Sequence, residues 1–351
     1  IEIAKALSIN AKLIIMDEPN SSLCEAETER LFSVIEDLRM KGISVIYVSH
    51  KINEVIRIAM RISVLKDGVL VGSIDREEAT VDKVIQMMVG RELSRVHVDR
   101  TVKGPVRLQV KNLCGDKFSD VSFELHEGEI LGFSGLVGAG RTEVARAIFG
   151  ADTYRSGEVI LEGKRVKFDS PSDAIQSGIA MVAEDRKTQS IFPELSIAMN
   201  MSIAELPRLK AGMRVRDTDI TALVESYRER LNIKMVSEKA AVKSLSGGNQ
   251  QKTILGRWLA TRPKVLILDE PTHGIDVGAK AEIYRLIREL AAGGMSIILI
   301  SSELPEIIAM SDRVIVMHEG RITGVLPWNE LTEEKIMSCA TGNMVSASCG
   351  G

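Results

Sequence analysis

Three short stretches carry residue types at spacings suited to phosphate chemistry. GLVGAGRT at 135–142 has the spacing of the loop G-x-x-x-x-G-K-[ST], with Arg141 standing where that motif has lysine. It follows the aliphatic EILGFSG (129–135) and opens EVARAIFG (143–150), so the expected context is strand, turn and helix. Gly135, Gly138, Ala139 and Gly140 would leave backbone N–H groups facing a phosphate at a helix N-terminus, and Thr142 would offer Mg2+ a hydroxyl. A ligand-free glycine turn is the plainer alternative for this stretch taken by itself. The second stretch, LILDE (266–270), is an aliphatic strand ending in two acids. Asp269 would reach Mg2+ through its water shell and Glu270 would polarise an attacking water; adjacent buried acids are costly without such work. The third, LSGGNQQ (245–251), opens the helix KTILGRWLA. Ser246 with the amides of Gly247 and Gly248 makes a second phosphate-binding helix start, with Gln250 in its first turn.

The elements that hold these residues are legible through an internal repeat. KLIIMDEP (12–19) returns as KVLILDEP (264–271), an offset of 264 − 12 = 252. Without a gap, the same offset aligns Leu31, Ile35 and Leu38 with Ile283, Ile287 and Leu290, Glu54 with Glu306, Arg61 with Arg313, and Gly68 and Gly72 with Gly320 and Gly324. Each copy reads strand, turn with proline, helix with apolar residues at i, i+3, i+4 and i+7, then a second buried strand. The expected fold class is α/β, a P-loop NTPase with a parallel sheet and two repeated units, the first incomplete. The second unit opens near Val106, which places the start of the first at 106 − 252 = −146, and the chain begins at Ile1 rather than Met. The reading is therefore an N-terminally truncated chain: 1–92 from the first unit, a polar linker at 93–105 (LSRVHVDRTVKGP), the second unit at 106–342, and a disordered tail at 343–351.

Composition narrows the function classes. The chain has 351 residues, 45% hydrophobic but only 4% aromatic, which suits Ile, Val and Leu strands under helices. A net charge of −3 gives no electrostatic footprint for nucleic acid, and none is expected as a partner. Cys24, Cys114, Cys339 and Cys349 show no metal-ligand spacing and read as reduced thiols. No apolar run approaches the roughly 18 residues of a membrane span. His97, His126, His273 and His318 read as surface or loop residues.

Taken together, GLVGAGRTE, AEDRK (183–187), LSGGNQQK and LDEPTHGIDVGAK resemble the ATP-binding-cassette ATPases, and within them the tandem-cassette subunits of bacterial monosaccharide importers of the ribose, galactose and xylose type. The resemblance covers nearly the whole chain. It implies ATP and Mg2+ as cofactors, two cassettes facing head to tail, and each ATP held between one P-loop and the other cassette's signature helix. It also implies a glutamine after the strand that follows the P-loop helix and a histidine after the strand that follows the catalytic glutamate. The second unit departs at both places, with Glu184 and Ser302. The counterpart of Ser302 is residue 302 − 252 = 50, which is His50. Arginine's planar fork is also a different tool from a lysine point charge. The second site is accordingly expected to bind nucleotide and hydrolyse it poorly. The resemblance assigns to the competent site Asp17 for Mg2+, Glu18 as base and His50 on the γ-phosphate, with LSGGN from the second cassette.

The implied partners are membrane permease subunits and, indirectly, a secreted sugar-binding protein, with the chain lying peripherally on the cytoplasmic face of the cell's inner membrane. An exposed apolar patch is expected near Phe192–Met201, where the resemblance puts the contact with the membrane subunits. Two alternatives stand beside this reading. A soluble tandem-cassette ATPase acting on ribosomes should carry intact motifs in both cassettes and a long charged linker. A non-hydrolytic nucleotide-binding scaffold should show no turnover.

Overall fold

The computed structural model describes residues 11–20, 25–49, 51–66, 68–81, 83–84, 87, 104–211 and 214–343. The chain divides into two units, 1–96 with Asp276–Ala281, and 97–275 with 282–351. Most of the expected linker (93–103) and tail (344–351), with His50, His97, Cys24 and Cys349, lie outside the described residues.

In the first unit β1 (Leu13–Asp17) pairs in parallel with β2 (Ser44–Val48). Between them in sequence runs α1 (Glu25–Met40), whose Leu31, Phe32, Ile35 and Leu38 fall on one helical stripe. That stripe packs with Ile14 and Met16 into a small core. The helix α2 (Ile52–Ile58) leads into β3 (Arg61–Lys66), which forms an antiparallel ladder with β4 (Val69–Asp75) over Ile62, Val64 and Val84.

The second unit carries two large sheets and one two-stranded ladder. β5 (Val106–Cys114) and β6 (Val121–His126) belong to an antiparallel sheet; β7 (Ile130–Gly135), followed by α3 (Arg141–Ile148), belongs to the other. β8 (Ser156–Leu161) and β9 (Lys164–Val166) complete the antiparallel sheet in the order β6-β5-β8-β9. Next come α4 (Pro171–Gln176), β10 (Ile179–Val182), α5 (Ile197–Ser202), the hairpin β11 (Lys210–Ala211) and β12 (Arg214–Val215), α6 (Asp217–Arg230) and α7 (Gly247–Ala260). The chain then runs through β13 (Val265–Asp269), α8 (Val277–Ala292), β14 (Ser296–Ile300), α9 (Leu304–Met310), β15 (Arg313–His318), β16 (Arg321–Pro327) and α10 (Glu333–Ala340). The main sheet has the order β10-β13-β14-β7-β15-β16, parallel except for the last pair. Every residue of β13 and β14 is buried, so uninterrupted aliphatic sequence is what such strands require. Phe133 of β7 meets Phe123 of β6 edge to face, centroids 5.2 Å apart, which ties the two sheets together.

The offset of 252 recurs in the hydrogen bonding. Leu13 stands opposite Ser44 as Val265 stands opposite Ser296. The β3–β4 ladder shifts register between Val64 and Leu65, and β15–β16 shifts between Val316 and Met317, the equivalent positions. The two units differ in what covers the strands. Ile267 and Ile298 are at most 1% exposed, whereas their counterparts Ile15 and Ile46 are 65% and 48% exposed. In the second unit, β7 lies between β14 and β15. Among the described residues of the first unit, no strand joins the β1–β2 ladder to β3–β4.

Because β7 ends in the glycine loop, its packing sets the site. Phe133→Ala removes a ring that is 1% exposed and should destabilise the second unit by about 3–5 kcal/mol. Chemical denaturation followed by far-UV circular dichroism measures this; a loss under about 1 kcal/mol would mean the sheets do not depend on that ring.

Candidate nucleotide site

The strands β7 and β13, separated in the sheet by β14, bring the glycine loop and the paired acids to the same carboxyl-terminal edge, where open parallel sheets bind ligands. The loop requires glycine in two places for a stated reason. A Cβ on Gly135 (φ 149°) would lie 2.4 Å from the Met317 carbonyl oxygen. One on Gly140 (φ 96°) would lie 3.0 Å from the Lys117 carbonyl oxygen, in a backbone conformation that L side chains avoid. Helix α3 begins at Arg141, slightly earlier than the sequence suggests, with Gly140 as its N-cap and no side chain capping it. A helix start without a side-chain cap suits a phosphate oxygen.

Arg141 does not point out into the loop unengaged. Its Nη1 donates to the carbonyl oxygen of Ser301, 2.9 Å away at the end of β14. A phosphate would therefore compete with an existing bond. The positive charge also lies near enough to Asp269 and Glu270 to oppose the rise in their proton affinity.

Asp269 is 1% exposed, and neither carboxylate oxygen has a hydrogen-bond partner among the described residues. Burial pushes its carboxyl up to about 7; the Thr142 hydroxyl holds it down, and the charges of Glu184 and Glu270 push it further up. Such an orphaned pair of oxygens beside a threonine hydroxyl is the donor chemistry a hard cation seeks. No group of three or more His, Cys, Asp or Glu that could hold a metal ion occurs among the described residues. Asp269 and Thr142 thus fit Mg2+ brought in with a phosphate, not a self-sufficient metal cage.

Glu270 sits in left-handed backbone at φ 47° and donates its N–H to the Ile300 carbonyl, 2.9 Å away. Burial raises its carboxyl as well, and the Ser302 hydroxyl opposes this by donating to Oε2 at 3.2 Å. Ser302, at the histidine position, therefore meets the glutamate. Glu18 repeats the backbone geometry: φ is 47° and its N–H donates to the Val48 carbonyl at 2.9 Å. Two non-glycine residues held in that strained region at equivalent positions make the turn a feature of the repeat. Asp17, unlike Asp269, is exposed. Glu184 is exposed, close enough for its charge to act on both acids of the second unit.

Ser246 is the N-cap of α7, but its Oγ makes no capping bond to the backbone; it accepts from Asn249 Nδ2 at 3.0 Å. Gln250 donates to the Leu245 carbonyl at 3.0 Å and so braces the turn before the helix. Arg186 donates to the Gly247 carbonyl at 3.2 Å.

Sequence reading missed Glu306. Buried at 3% exposure, it accepts from Thr272 Oγ1 at 2.9 Å and Ser301 Oγ at 2.5 Å, so it fixes both the turn after Glu270 and the end of β14. Asn20 donates to Glu54 in the same relation. The repeated glutamate was the available signal. Among the histidines, His126 and His318 end strands β6 and β15 and lean on the carbonyls of Gly104 and Ala340 at 3.0 and 2.8 Å; they are half-buried structural residues, not loop residues. His273 is exposed. Cys114 and Cys339 are free thiols. The expected patch is real only in part. Phe192, Leu195 and Met199 are exposed, while Ile197 and Met201 are fully buried in the core.

One consequence concerns pH. An aspartate in an unfolded chain titrates near ~3.9, and Asp269 titrates at about 7 here. Between these values the folded chain keeps a proton that the unfolded chain has released, so stability falls as pH rises through that window. Without nucleotide or Mg2+, Asp269→Asn should raise the melting temperature at pH 8 and leave it unchanged near pH 4. Thermal unfolding at the two pH values checks this; equal shifts at both would rule out the buried charge as the cause.

Comparison with known proteins is consistent with this geometry. Residues 118–273 match the family described as ABC transporter. The chain is 50% identical over 347 residues to the putative ribose/galactose/methyl galactoside import ATP-binding protein of Pseudomonas savastanoi pv. phaseolicola, covering 98% of this chain and 66% of that protein. It is 47% identical over 344 residues to the ribose import ATP-binding protein RbsA of Geobacillus kaustophilus, covering 97% and 70%. The chain thus spans about two thirds of the length of these relatives. Its fold is similar to that of a nucleotide-free ATP-binding cassette from an ABC transporter, with a TM-score of 0.58 at 22% identity over 67% of this chain and 98% of that one. It is also similar to an ATP-binding cassette in its ADP conformation, with a TM-score of 0.59 at 22% identity, over 68% and 99%. With its glycine loop, paired acids and second helix start on one scaffold, the chain belongs to the ATP-binding proteins of the ABC transporter family.

Proposed function

We propose that this chain is part of an ATP-binding subunit that couples ATP binding and hydrolysis to monosaccharide uptake, from a peripheral position on the cytoplasmic face of the membrane. The observation that carries the reading is the orphaned Asp269 carboxylate beside Thr142 at the end of a glycine loop. The relatives' names, ribose and ribose/galactose/methyl galactoside import, supply the substrate class. No helix among the described residues is long and apolar enough to cross a membrane, so membrane permease subunits would form the path and a sugar-binding protein would deliver the cargo.

In this reading residues 1–92 and 106–342 belong to two cassettes joined through 93–105. Arg141, Glu184 and Ser302 leave the second site able to hold nucleotide and poor at hydrolysing it. Arg141 spends a donor on a backbone carbonyl, Glu184 adds a negative charge where phosphate would come, and Ser302 cannot play a histidine's part. Hydrolysis falls to Glu18 with His50, and Asp17 attends the Mg2+. When bound, Mg2+ would neutralise phosphate charge. Glu18, held at the strand end by its N–H bond to Val48, would take the proton of the attacking water. Ser246, Gly247 and Gly248 would present a helix start to the γ-phosphate.

Steady-state ATPase of the full-length subunit assembled with its membrane partner tests the asymmetry. Glu18→Gln should lower turnover by about 10²–10⁴-fold, the usual worth of a positioned base. Ser246→Ala should be nearly as damaging, and Glu270→Gln should cost only several-fold, roughly, because removing one part matters less where others are already altered. Equal losses from Glu18→Gln and Glu270→Gln would mean that both sites hydrolyse.

The exposed Phe192, Leu195 and Met199 are the proposed contact with the membrane subunits. Phe192→Asp should abolish co-purification with the permease while leaving ATP binding unchanged. Retained assembly would place the contact elsewhere.

A further inference from the structure

The turn that follows the paired acids is held by a glutamate in each unit, but a different tyrosine reaches that glutamate in each. In the first unit Glu54 stands in the first turn of α2. Its Oε2 accepts from the Tyr47 hydroxyl at 3.3 Å and from Asn20 Nδ2, and its Oε1 lies 3.4 Å from Lys51 Nζ. Asn20 is 1% exposed and follows Glu18 and Pro19 in the turn. Its Oδ1 is buried with no hydrogen-bond partner among the described residues, so the bond to Glu54 is what holds that side chain there.

In the second unit Glu306 accepts from Thr272 and Ser301, and the Tyr284 hydroxyl also bonds to it. Asn20 and Thr272 are related by the repeat, as are Glu54 and Glu306 (272 − 20 = 306 − 54 = 252). The tyrosines are not. Tyr47 lies on β2 and its counterpart is Leu299, whereas Tyr284 lies on α8 and its counterpart is Phe32 (299 − 47 = 284 − 32 = 252). Phe32 and Tyr47 meet edge to face with centroids 6.4 Å apart, so the two positions are neighbours in the first unit. A phenol hydroxyl thus reaches the equivalent carboxylate from either of two adjacent positions, one in each unit. The bond is kept and the residue is not.

Tyr47 is a lasting donor. Burial above all, then the charge and hydrogen bond of Glu54 and the charge of Glu18, push its hydroxyl up to about 12. Glu18 is therefore close enough for its field to act at Tyr47. The Glu18 backbone is left-handed, with φ 47°, and its N–H donates to the carbonyl of Val48, the residue after Tyr47, at 2.9 Å. Such a conformation persists only where its surroundings over-determine it. The Val48 bond fixes one end of the turn, and the chain Tyr47, Glu54, Asn20 fixes the other.

Resting on the preceding reading of Glu18 as the base, we propose that Glu54 and Tyr47 are its positioning residues. A phenol hydroxyl, whichever element delivers it, orients the Glu54 carboxylate, which holds Asn20 and with it the turn that carries the base. Small misplacements of a base are costly, so the effect falls on the chemical step and not on nucleotide affinity.

Steady-state ATPase of the full-length subunit assembled with its membrane partner tests this, with a melting temperature for each variant. Tyr47→Phe removes only the hydroxyl and should lower kcat about ten-fold at unchanged KM, the worth of one hydrogen bond to a charged acceptor. Tyr47→Leu should cost at least as much, and adding Phe32→Tyr, which copies the second unit, should restore kcat. In a Glu18→Gln background, with residual turnover followed by radiolabelled ATP, Tyr47→Phe should cost nothing more, because the base it positions is gone. Full kcat in Tyr47→Phe, an equal loss in both backgrounds, or a Tyr47→Leu, Phe32→Tyr double variant as slow as Tyr47→Leu would each overturn the positioning role. Full turnover in Glu18→Gln alone would overturn the reading of Glu18 instead, which separates the two failures. If Tyr47→Leu lacks a cooperative melting transition, Tyr47→Phe with Phe32→Tyr takes the place of the double variant under the same criteria.

Discussion

The site depends on one costly arrangement: an aspartate at the end of a fully buried strand, with both carboxylate oxygens unpartnered among the described residues. Burying such a group unpaired raises its proton affinity, and here it reaches about 7. The sheet imposes this position. The strand β13 lies between β10 and β14, aliphatic throughout, and its last residue emerges beside the loop that follows β7. Glu184 and Glu270 add to the cost, and other neighbours limit it without removing it. Arg141 supplies positive charge, Thr142 a hydroxyl, and Ser302 occupies Glu270. Two remedies remain: a proton, which the carboxyl holds up to about 7, or an oxygen-seeking cation.

The two units share the turn but not the burial of its aspartate. Glu18 and Glu270 share a φ of 47° and the same N–H bond across the ladder, so the strained turn belongs to the repeated unit and not to one site. Asp17 is exposed where Asp269 is buried, because the strand face beneath it is open among the described residues. Desolvation, the largest cause of the high Asp269 value, is thus a property of the surrounding sheet and not of the Asp-Glu sequence.

That difference also explains what could be read from sequence. Strand ends, the glycine loop and the helix start at Ser246 were legible because each is a local pattern with a fixed spacing. The repeat was legible because 252 residues separate near-identical strings that pair in the same register. Contacts that join distant segments were not. Nothing in GLVGAGRT announces that Arg141 donates to Ser301, 160 positions away. The role of Glu306 was hidden because it depends on Thr272 and Ser301 converging on one carboxylate. The helical segment gave a mixed result for the same reason. IFPELSIAMNMS mixes apolar and polar residues without a clear stripe, and packing against α7 separates buried Ile197 and Met201 from exposed Phe192, Leu195 and Met199.

Asn200 joins these observations. It sits in that apolar segment, yet its side chain is consumed by the Phe192, Ser196 and Arg257 bonds, so the exposed Phe192 is held from behind by the same residue that anchors α7. Arg257 also lies 5.7 Å over the Phe192 ring. Each guanidinium nitrogen of Arg257 has an acceptor, so Phe192 is backed by a buried polar knot. Such a knot is rigid, because slack would leave a buried charge or carbonyl unpaired. The soft point is the other end of the helix, where one 3.2 Å bond from Arg186 holds Gly247. The helix is thus held firmly at its last turn and lightly at its first, Ser246 to Gly248, whose amides suit a phosphate.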